Sequence, residues 1–300
     1  MKYLRHIKGA LALSYITLNL TIGLIPLMIL AVLKLLLPIP VISEKIYNMM
    51  LCIYTAAVRV DNFLLKHLLG IRFDVTGMSP LRSDRNYLVI SNHHSWADIL
   101  VLQGLLINGA PIIKFIVKKE ILLIPLVGLI CWAYEYPFVH RRSIKNKQSD
   151  KIQSGVDLNT LHQKLNTMDT HHTTIINFVE GTRFHLLKTH ESGSPYKHLL
   201  KPKAGGFTHI LNLFGTKLDT LLNITIHYDT QEPIFWNLLC GKCKRIAIHL
   251  EQIPIQTLLD QFSSEESEMD YTIVSNWLRQ LWLEKDALLG QLSKKSPTPN

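Results

Sequence analysis

Between Gly9 and Leu33 the chain carries no charged side chain, a run of 25 residues that as one helix measures roughly 37 Å, enough to cross a hydrocarbon core of about 30 Å. Lys34-Leu35-Leu36-Leu37-Pro38 follows with no small-residue cleavage site, so the run is expected to be a retained membrane segment and not a secretory signal. Pro26 removes a backbone donor in mid-run, which predicts a kink there and leaves two arrangements open: a full span, or a hairpin that enters and leaves one leaflet. After Pro40, Ser43 reads as a helix cap, and Ile46, Met49, Met50, Ile53, Val60, Leu64, Leu65 and Leu68 recur at helical spacing as far as Gly70. This second, amphipathic helix either packs on the core or lies in the membrane interface beside the first.

Beyond Gly70 the period changes. Short β-rich runs at Ile71 to Val75, Tyr87 to Ser91, Pro111 to Val117, Thr173 to Val179, Asn223 to Tyr228 and Arg245 to Leu250 alternate with helical patterns. The helical patterns fall at Trp96 to Leu106, Leu122 to Ala133, Ser154 to Leu165 and Gly206 to Leu213, and a closing one has Val274, Trp277, Leu278, Leu281, Leu288 and Leu292 on one face. Such alternation predicts an α/β sheet flanked by helices. The expected organisation is an N-terminal membrane anchor over residues 1–42, an amphipathic interfacial helix over 43–70, a catalytic domain over 71–292 and a flexible tail over 293–300.

Composition sharpens this picture. Apolar residues make up 47% of 300, enough for a sizeable core, which excludes intrinsic disorder, and charged residues are only 18%. One stretch alone is long and uncharged enough to span a bilayer, which excludes a multi-spanning transporter. The formal charge of +9 favours anionic partners such as phospholipid headgroups. The basic residues are not interleaved with aromatics along any element, so nucleic acid is not an expected partner. Cys52, Cys131, Cys240 and Cys243 are too few and too scattered for a disulfide framework, which points to a reducing compartment.

The densest chemistry is Ser91-Asn92-His93-His94-Ser95-Trp96-Ala97-Asp98, where a strand hands over to a helix. In one continuous helix His93 and Asp98 stand about 140° apart, so a turn must intervene. With Ser95 as the cap, Asp98 falls in the first turn and the imidazole can fold back to the carboxylate. A His-Asp dyad of that kind fixes the tautomer and frees the other ring nitrogen to take a proton from an alcohol. Two blander readings stay open: Ser95-x-x-Asp98 is a capping-box variant, and His93, His94 and Asp98 are residue types of a metal site. Glu180-Gly181-Thr182-Arg183 ends an apolar strand in a glycine turn, either a phosphate grip by the Arg183 fork or a strand-end ion pair. Phe138-Val139-His140-Arg141-Arg142 offers two further guanidinium groups. Lys118-Lys119-Glu120 adjoins an apolar wall from Ile121 to Val127, core or acyl-chain groove, and Lys201 with Lys203 opens a glycine-rich helix start, an anion site or a solvated loop. Cys240-Gly241-Lys242-Cys243 has the spacing of a metal or redox pair but lacks a second pair to complete a zinc site.

Taken in order, Asn92-His93-x-Ser95-x-x-Asp98, Lys118-Lys119-Glu120-x-x-x-Ile124-Pro125-x-x-Gly128, Phe138-x-x-Arg141 and Glu180-Gly181-Thr182-Arg183 resemble the motifs of the lysophospholipid and 1-acyl-glycerol-3-phosphate acyltransferase family, from about Gly70 to Leu250. Leu35-Leu36-Leu37-Pro38, Asn177 to Phe184 and Leu222 to Tyr228 most resemble its bacterial inner-membrane branch. The resemblance implies a mixed β-sheet flanked by helices, glycerophosphate acyltransferase-like, behind an N-terminal membrane-embedded helical segment, with the catalytic domain on the cytoplasmic side. It implies His93 as general base and Asp98 as its orienting partner, with Glu180, Gly181, Thr182, Arg183, Arg141 and Lys119 binding substrate. Two departures stand out: Glu135 or Tyr136 occupies a place where the family usually has glycine, and Asn223-Ile224-Thr225 replaces the usual proline of the fourth motif. The implied reaction carries a fatty acyl chain from acyl-coenzyme A or acyl carrier protein to the hydroxyl of a lysophospholipid. The helix-start amides near Ser95 would stabilise the oxyanion, with no cofactor or metal required and an anionic phospholipid membrane as partner. The alternative is a catalytically inactive basic lipid-binding protein, which would tolerate loss of both His93 and Asp98.

Overall fold

The computed structural model describes residues 2–139, 171–185, 193–263 and 269–294. The first apolar run forms one helix, α1 (Lys2–Leu36), that passes through Pro26 unbroken, and α2 (Pro40–Phe63) follows and continues as a π-helical turn, Leu64–Leu68. The chain reverses at residues 37–39 and not at Pro26, the expected hinge. Pro40 opens α2 at its first helical position, where the missing N–H is no loss. Ser43 therefore lies inside the first turn, its amide donating to Ile39 O at 2.8 Å, instead of capping the helix.

The two helices run antiparallel, with Asn19 opposite Asp61 and Lys34 opposite Tyr47. Asn19 Nδ2 donates to Asp61 Oδ1 and to Ala57 O, both at 2.9 Å, and Lys34 Nζ sits 5.2 Å from the Tyr47 ring centre. On α1, Ala12, Ile16, Leu24, Leu27, Leu30 and Ala31 are buried, while Leu11, Leu18, Ile22, Ile25, Ile29 and Val32 are exposed. Both faces are thus apolar, and among the described residues only one is covered by the protein.

A six-stranded sheet forms the body. Its strands are β1 (Arg72–Thr76), β2 (Tyr87–Ser91), β3 (Ile113–Phe115), β6 (Thr174–Asn177), β7 (Thr220–Tyr228) and β8 (Arg245–Pro254), in the order β1-β8-β7-β2-β6-β3. β7 and β8 are antiparallel and every other neighbouring pair is parallel, so the sheet is mixed. β4 (Val117–Lys118) and β5 (Phe138–Val139) make a separate parallel pair. The remaining helices are α3 (Ala97–Leu106), α4 (Val127–Ala133), α5 (Ala204–Phe214), α6 (Ile234–Leu239), α7 (Ile255–Phe262) and α8 (Tyr271–Lys294).

Side-chain alternation along β2 divides the core into two layers. Tyr87 and Val89 pack with α1, α2, α3 and α6, while Leu88 and Ile90 pack with α5, α7 and α8. Every residue of β2 is buried, as a strand covered on both faces requires. The expected α/β body is therefore present, and each β-rich run of the sequence forms a strand, with Pro111 to Val117 divided into β3 and β4. Helices α6 and α7 were not legible, being one to two turns long. The expected helix at Leu122 to Ala133 is shortened to a 3-10 turn, Lys119–Leu123, followed by α4. Pro125 is the reason, since it lacks a donor and disfavours helical geometry in the residue before it. The helical pattern at Ser154 to Leu165 lies outside the described residues.

Candidate active site

Because β2, β6 and β7 are adjacent and parallel, their C-terminal ends open on one edge of the sheet, where open α/β sheets place their ligands. Ser91 ends β2 level with Ile224 of β7. Beyond it the Asn92 side chain continues the pairing, donating to Ile226 O at 2.9 Å and accepting from Ile226 N at 2.8 Å. The loop is thereby clamped to β7 while its backbone turns away from the sheet, and His93 is the first residue released over the edge.

The turn then folds back on Asp98, in the first turn of α3. His93 Nδ1 lies 2.8 Å from Asp98 Oδ2, and the same oxygen accepts from the amides of His94 at 2.8 Å and Ser95 at 2.9 Å. Asp98 Oδ1 accepts from the Tyr228 hydroxyl at 2.6 Å. A carboxylate only accepts, so Nδ1 carries the proton and Nε2 keeps its lone pair. The carboxylate that orients the imidazole thus also gathers the two amides just before the start of α3. Ser95 contributes its Oγ to the Ala97 amide at 3.1 Å. The amides of His94, Ser95 and Ala97 are thus engaged inside the turn, which removes them as oxyanion donors. The His94 ring does not join His93 on Asp98: its Nε2 is 3.3 Å from His198 O, its ring lies against Phe184, and burial holds it below the usual histidine pKa.

β6 supplies the opposite wall. The Phe178 ring stacks on His93 at 4.0 Å between centres, and Phe115 stands behind it at 6.1 Å. Gly181 takes φ +69°, a left-handed turn that glycine adopts without strain, its amide donating to Phe178 O at 2.8 Å. This turn buries Glu180, which is 1% exposed, and its oxygens accept from the backbone amides of His93 at 3.3 Å and Leu200 at 3.1 Å. Glu180 therefore shapes the loop that carries His93 by holding its backbone amide, a contact the sequence did not indicate. Burial pushes its carboxyl up to about 8. Behind it the ammonium of Lys285 in α8, 2% exposed, donates to Ile224 O at 2.7 Å and Thr225 Oγ1 at 3.1 Å, and burial pushes it down to about 7.

Arg183 is exposed and lies over the face of Trp96, guanidinium carbon to ring centre 5.1 Å. It is thus held beside the dyad by a cation–π contact and not by Glu180. Thr182 is half-buried in the same turn, and Lys119 is exposed at the start of the 3-10 turn. Arg141, like His140 and Arg142, lies outside the described residues. Cys240 and Cys243 are both buried as free thiols in the layers around α6. Sequence reasoning missed Asn92 as a clamp, Phe178 as a stacking wall, and Tyr228 and Lys285 altogether. For Tyr228 a signal existed, because a tyrosine ending an apolar strand needs a partner for its hydroxyl once buried.

With this geometry in hand, the likeness to known proteins can be placed. Residues 72–226, just over half of the chain, match the family described as Acyltransferase. The chain is 24% identical over 286 residues to an uncharacterized acyltransferase of Saccharomyces cerevisiae, covering 82% of this chain and 69% of that protein. It is 25% identical over 226 residues to a probable 1-acyl-sn-glycerol-3-phosphate acyltransferase 5 of Arabidopsis thaliana, covering 71% and 55%. Against 1-acyl-sn-glycerol-3-phosphate acyltransferase gamma of Mus musculus it is 24% identical over 195 residues, covering 62% and 47%. The chain thus spans about half to two thirds of the length of these relatives. Its fold is similar to the crystal structure of the 1-acyl-sn-glycerophosphate acyltransferase PlsC from Thermotoga maritima, with TM-score 0.51 and 19% identity over 93% of this chain and 97% of that one.

Proposed function

The chain belongs to the acyltransferase family, and from that premise we propose that it transfers a fatty acyl chain from an acyl thioester to the free hydroxyl of a lysophospholipid such as 1-acyl-glycerol-3-phosphate. The observation that carries this reading is the 2.8 Å contact between His93 Nδ1 and a carboxylate that is itself fixed by other donors. It leaves Nε2 as the base. As the acceptor oxygen attacks the thioester carbonyl carbon, Nε2 takes the hydroxyl proton. The C–O bond forms, the C–S bond breaks, and the departing thiolate takes that proton back from the imidazolium. Asp98 stabilises the transient imidazolium and stays ionised throughout, and a step of this kind is worth roughly 10² to 10⁴ in rate. No covalent enzyme intermediate is required.

Arg183, exposed over Trp96, meets the anionic headgroup in this reading, since its planar fork suits phosphate. The exposed apolar face of α1 supports docking on a bilayer, so that the lipid acceptor need not leave the membrane entirely. An acyl-coenzyme A or acyl carrier protein donor, and residence in a bacterial inner membrane with the body on the cytoplasmic side, complete the proposal. The test is to offer purified protein a panel of lysolipids with labelled acyl-coenzyme A and acyl carrier protein, and to read products by mass spectrometry. Transfer to a phosphate-bearing lysolipid is expected, with His93→Ala reducing turnover by about 10² to 10⁴ while still binding vesicles. Thioester cleavage without an acceptor would favour a hydrolase, and full turnover by His93→Ala would remove His93 as the base.

A further inference from the structure

β7 is longer than β2. It runs parallel to β2 with Ser91 level with Ile224, and its last four residues carry it past the end of β2 to Tyr228. The double contact of Asn92 with Ile226, two residues earlier, fixes the height of the His93 loop against this overhang. Tyr228 is 4% exposed, and its hydroxyl donates to Asp98 Oδ1 at 2.6 Å, within the range of a charge-assisted O–H···O⁻ bond. The other oxygen, Oδ2, holds His93 and the two amides. We propose that Tyr228 is a positioning residue of the catalytic dyad, which clamps the second oxygen of Asp98 and thereby fixes both the rotation of that carboxylate and the charge it presents to His93.

This inference rests on the acyl-transfer reading of the same site. Without the phenol, the carboxylate could rotate about the bond to Cβ, moving Oδ2 off the imidazole, and Oδ1 would be left buried without that donor. The phenol is held in its protonated, donating form by burial and by Asp98 itself, both of which keep it well above the usual tyrosine value. Other ionisable groups facing this centre are His94 from the same loop, Glu180 from the turn after β6, Lys285 from α8 within reach of Glu180, and Cys243 near Tyr228.

Removing the donor leaves Asp98 more negative, which favours imidazolium. The acid limb of kcat/KM, where His93 loses its proton, then moves to higher pH. A tyrosine that only fills the core would change melting temperature and leave that limb in place. Full-length protein in detergent micelles, with a lysolipid acceptor and acyl-coenzyme A, is the system to use. Tyr228→Phe is expected to lower kcat about tenfold to a hundredfold, to leave both KM values within about twofold, and to raise the acid limb by about 0.5 on the pH scale. Should the Phe variant fold poorly, Tyr228→3-fluorotyrosine keeps the hydroxyl, makes it a stronger donor, and is expected to move the limb to lower pH. An unchanged kcat and limb in Tyr228→Phe, or an unmoved limb in the fluorinated protein, overturns the proposal while wild-type turnover keeps the acyl-transfer reading. The His93 titration followed by ¹⁵N NMR reads the same shift without turnover. A shifted titration in a protein that acylates nothing would uphold the clamp and overturn the reaction.

Discussion

At Glu180 a carboxyl group sits almost out of reach of water, and the burial of the turn it anchors was not legible in the sequence. In the sequence Glu180 and Arg183 look like partners on a glycine turn. The structure separates them, sending the carboxylate inward to the amides of His93 and Leu200 and the guanidinium outward over Trp96. A pH dependence follows. Unfolded, Glu180 ionises near 4.5, and folded it holds its proton to about 8. Between these values the folded chain binds a proton that the unfolded chain lacks, so stability falls as pH rises. Lys285, lowered from 10.5 to about 7, has the opposite sign and adds stability only as pH rises above 7. Glu180→Gln has no such proton to lose, so its melting temperature should gain on wild type by about 5 °C between pH 5 and pH 7. Scanning fluorimetry checks this, and a constant difference between the two proteins would show that Glu180 is ionised throughout.

Elements are decided by a few residues whose reasons differ in kind. Glu135 and Leu126 take φ of +56° and +64° on either side of α4, the left-handed region that favours glycine. Glu135, one of two residues standing where the resemblance expected glycine, makes an ion pair with Lys34 of α1 at 3.1 Å, which offsets part of that strain. Gly128 is required for a different reason: a Cβ there would collide with the carbonyl oxygen of Leu122, so the 3-10 turn and α4 touch through a bare backbone. A Cβ on Gly206, inside α5, would meet among the described residues only Asn177 Nδ2, at 3.9 Å. Gly128→Ala is therefore expected to destabilise the fold by about 1–3 kcal/mol. Gly206→Ala should stabilise it by about 0.5–1 kcal/mol, because alanine restricts the unfolded chain and suits a helix. Urea unfolding measures both, and equal signs would contradict the packing just described.

Across the whole molecule, the two faces of α1 have different surroundings. Its inner face completes the core layer shared with α2 and the sheet, while Ile22 and Ile29, 62% and 57% exposed, stand on the outer face with no described residue covering them. Substituting both by glutamate removes no core contact, so the melting temperature should hold. Sedimentation with anionic vesicles should fall more than tenfold, since each buried charge opposes insertion by about 2.5–3.5 kcal/mol. Undiminished sedimentation would place the membrane contact elsewhere. Reversal at residues 37–39 returns the chain along α1 to the body.

Local pattern alone determined much of this protein. A 25-residue uncharged run, the alternation of β-rich and helical segments, and a histidine five positions before an aspartate at a strand-to-helix junction are properties of neighbouring residues, and steric and hydrophobic rules act on neighbours. His93 and Asp98 were legible for that reason, because one turn of chain suffices to join them. Tyr228 is 130 positions from Asp98, and Lys285 is 60 from Thr225. Their contacts exist only because β7 enters the sheet between β2 and β8 and α8 packs across it. Sheet order is a long-range outcome of burying two apolar faces at once, and it alone decided which distant hydroxyl and ammonium stand behind the dyad.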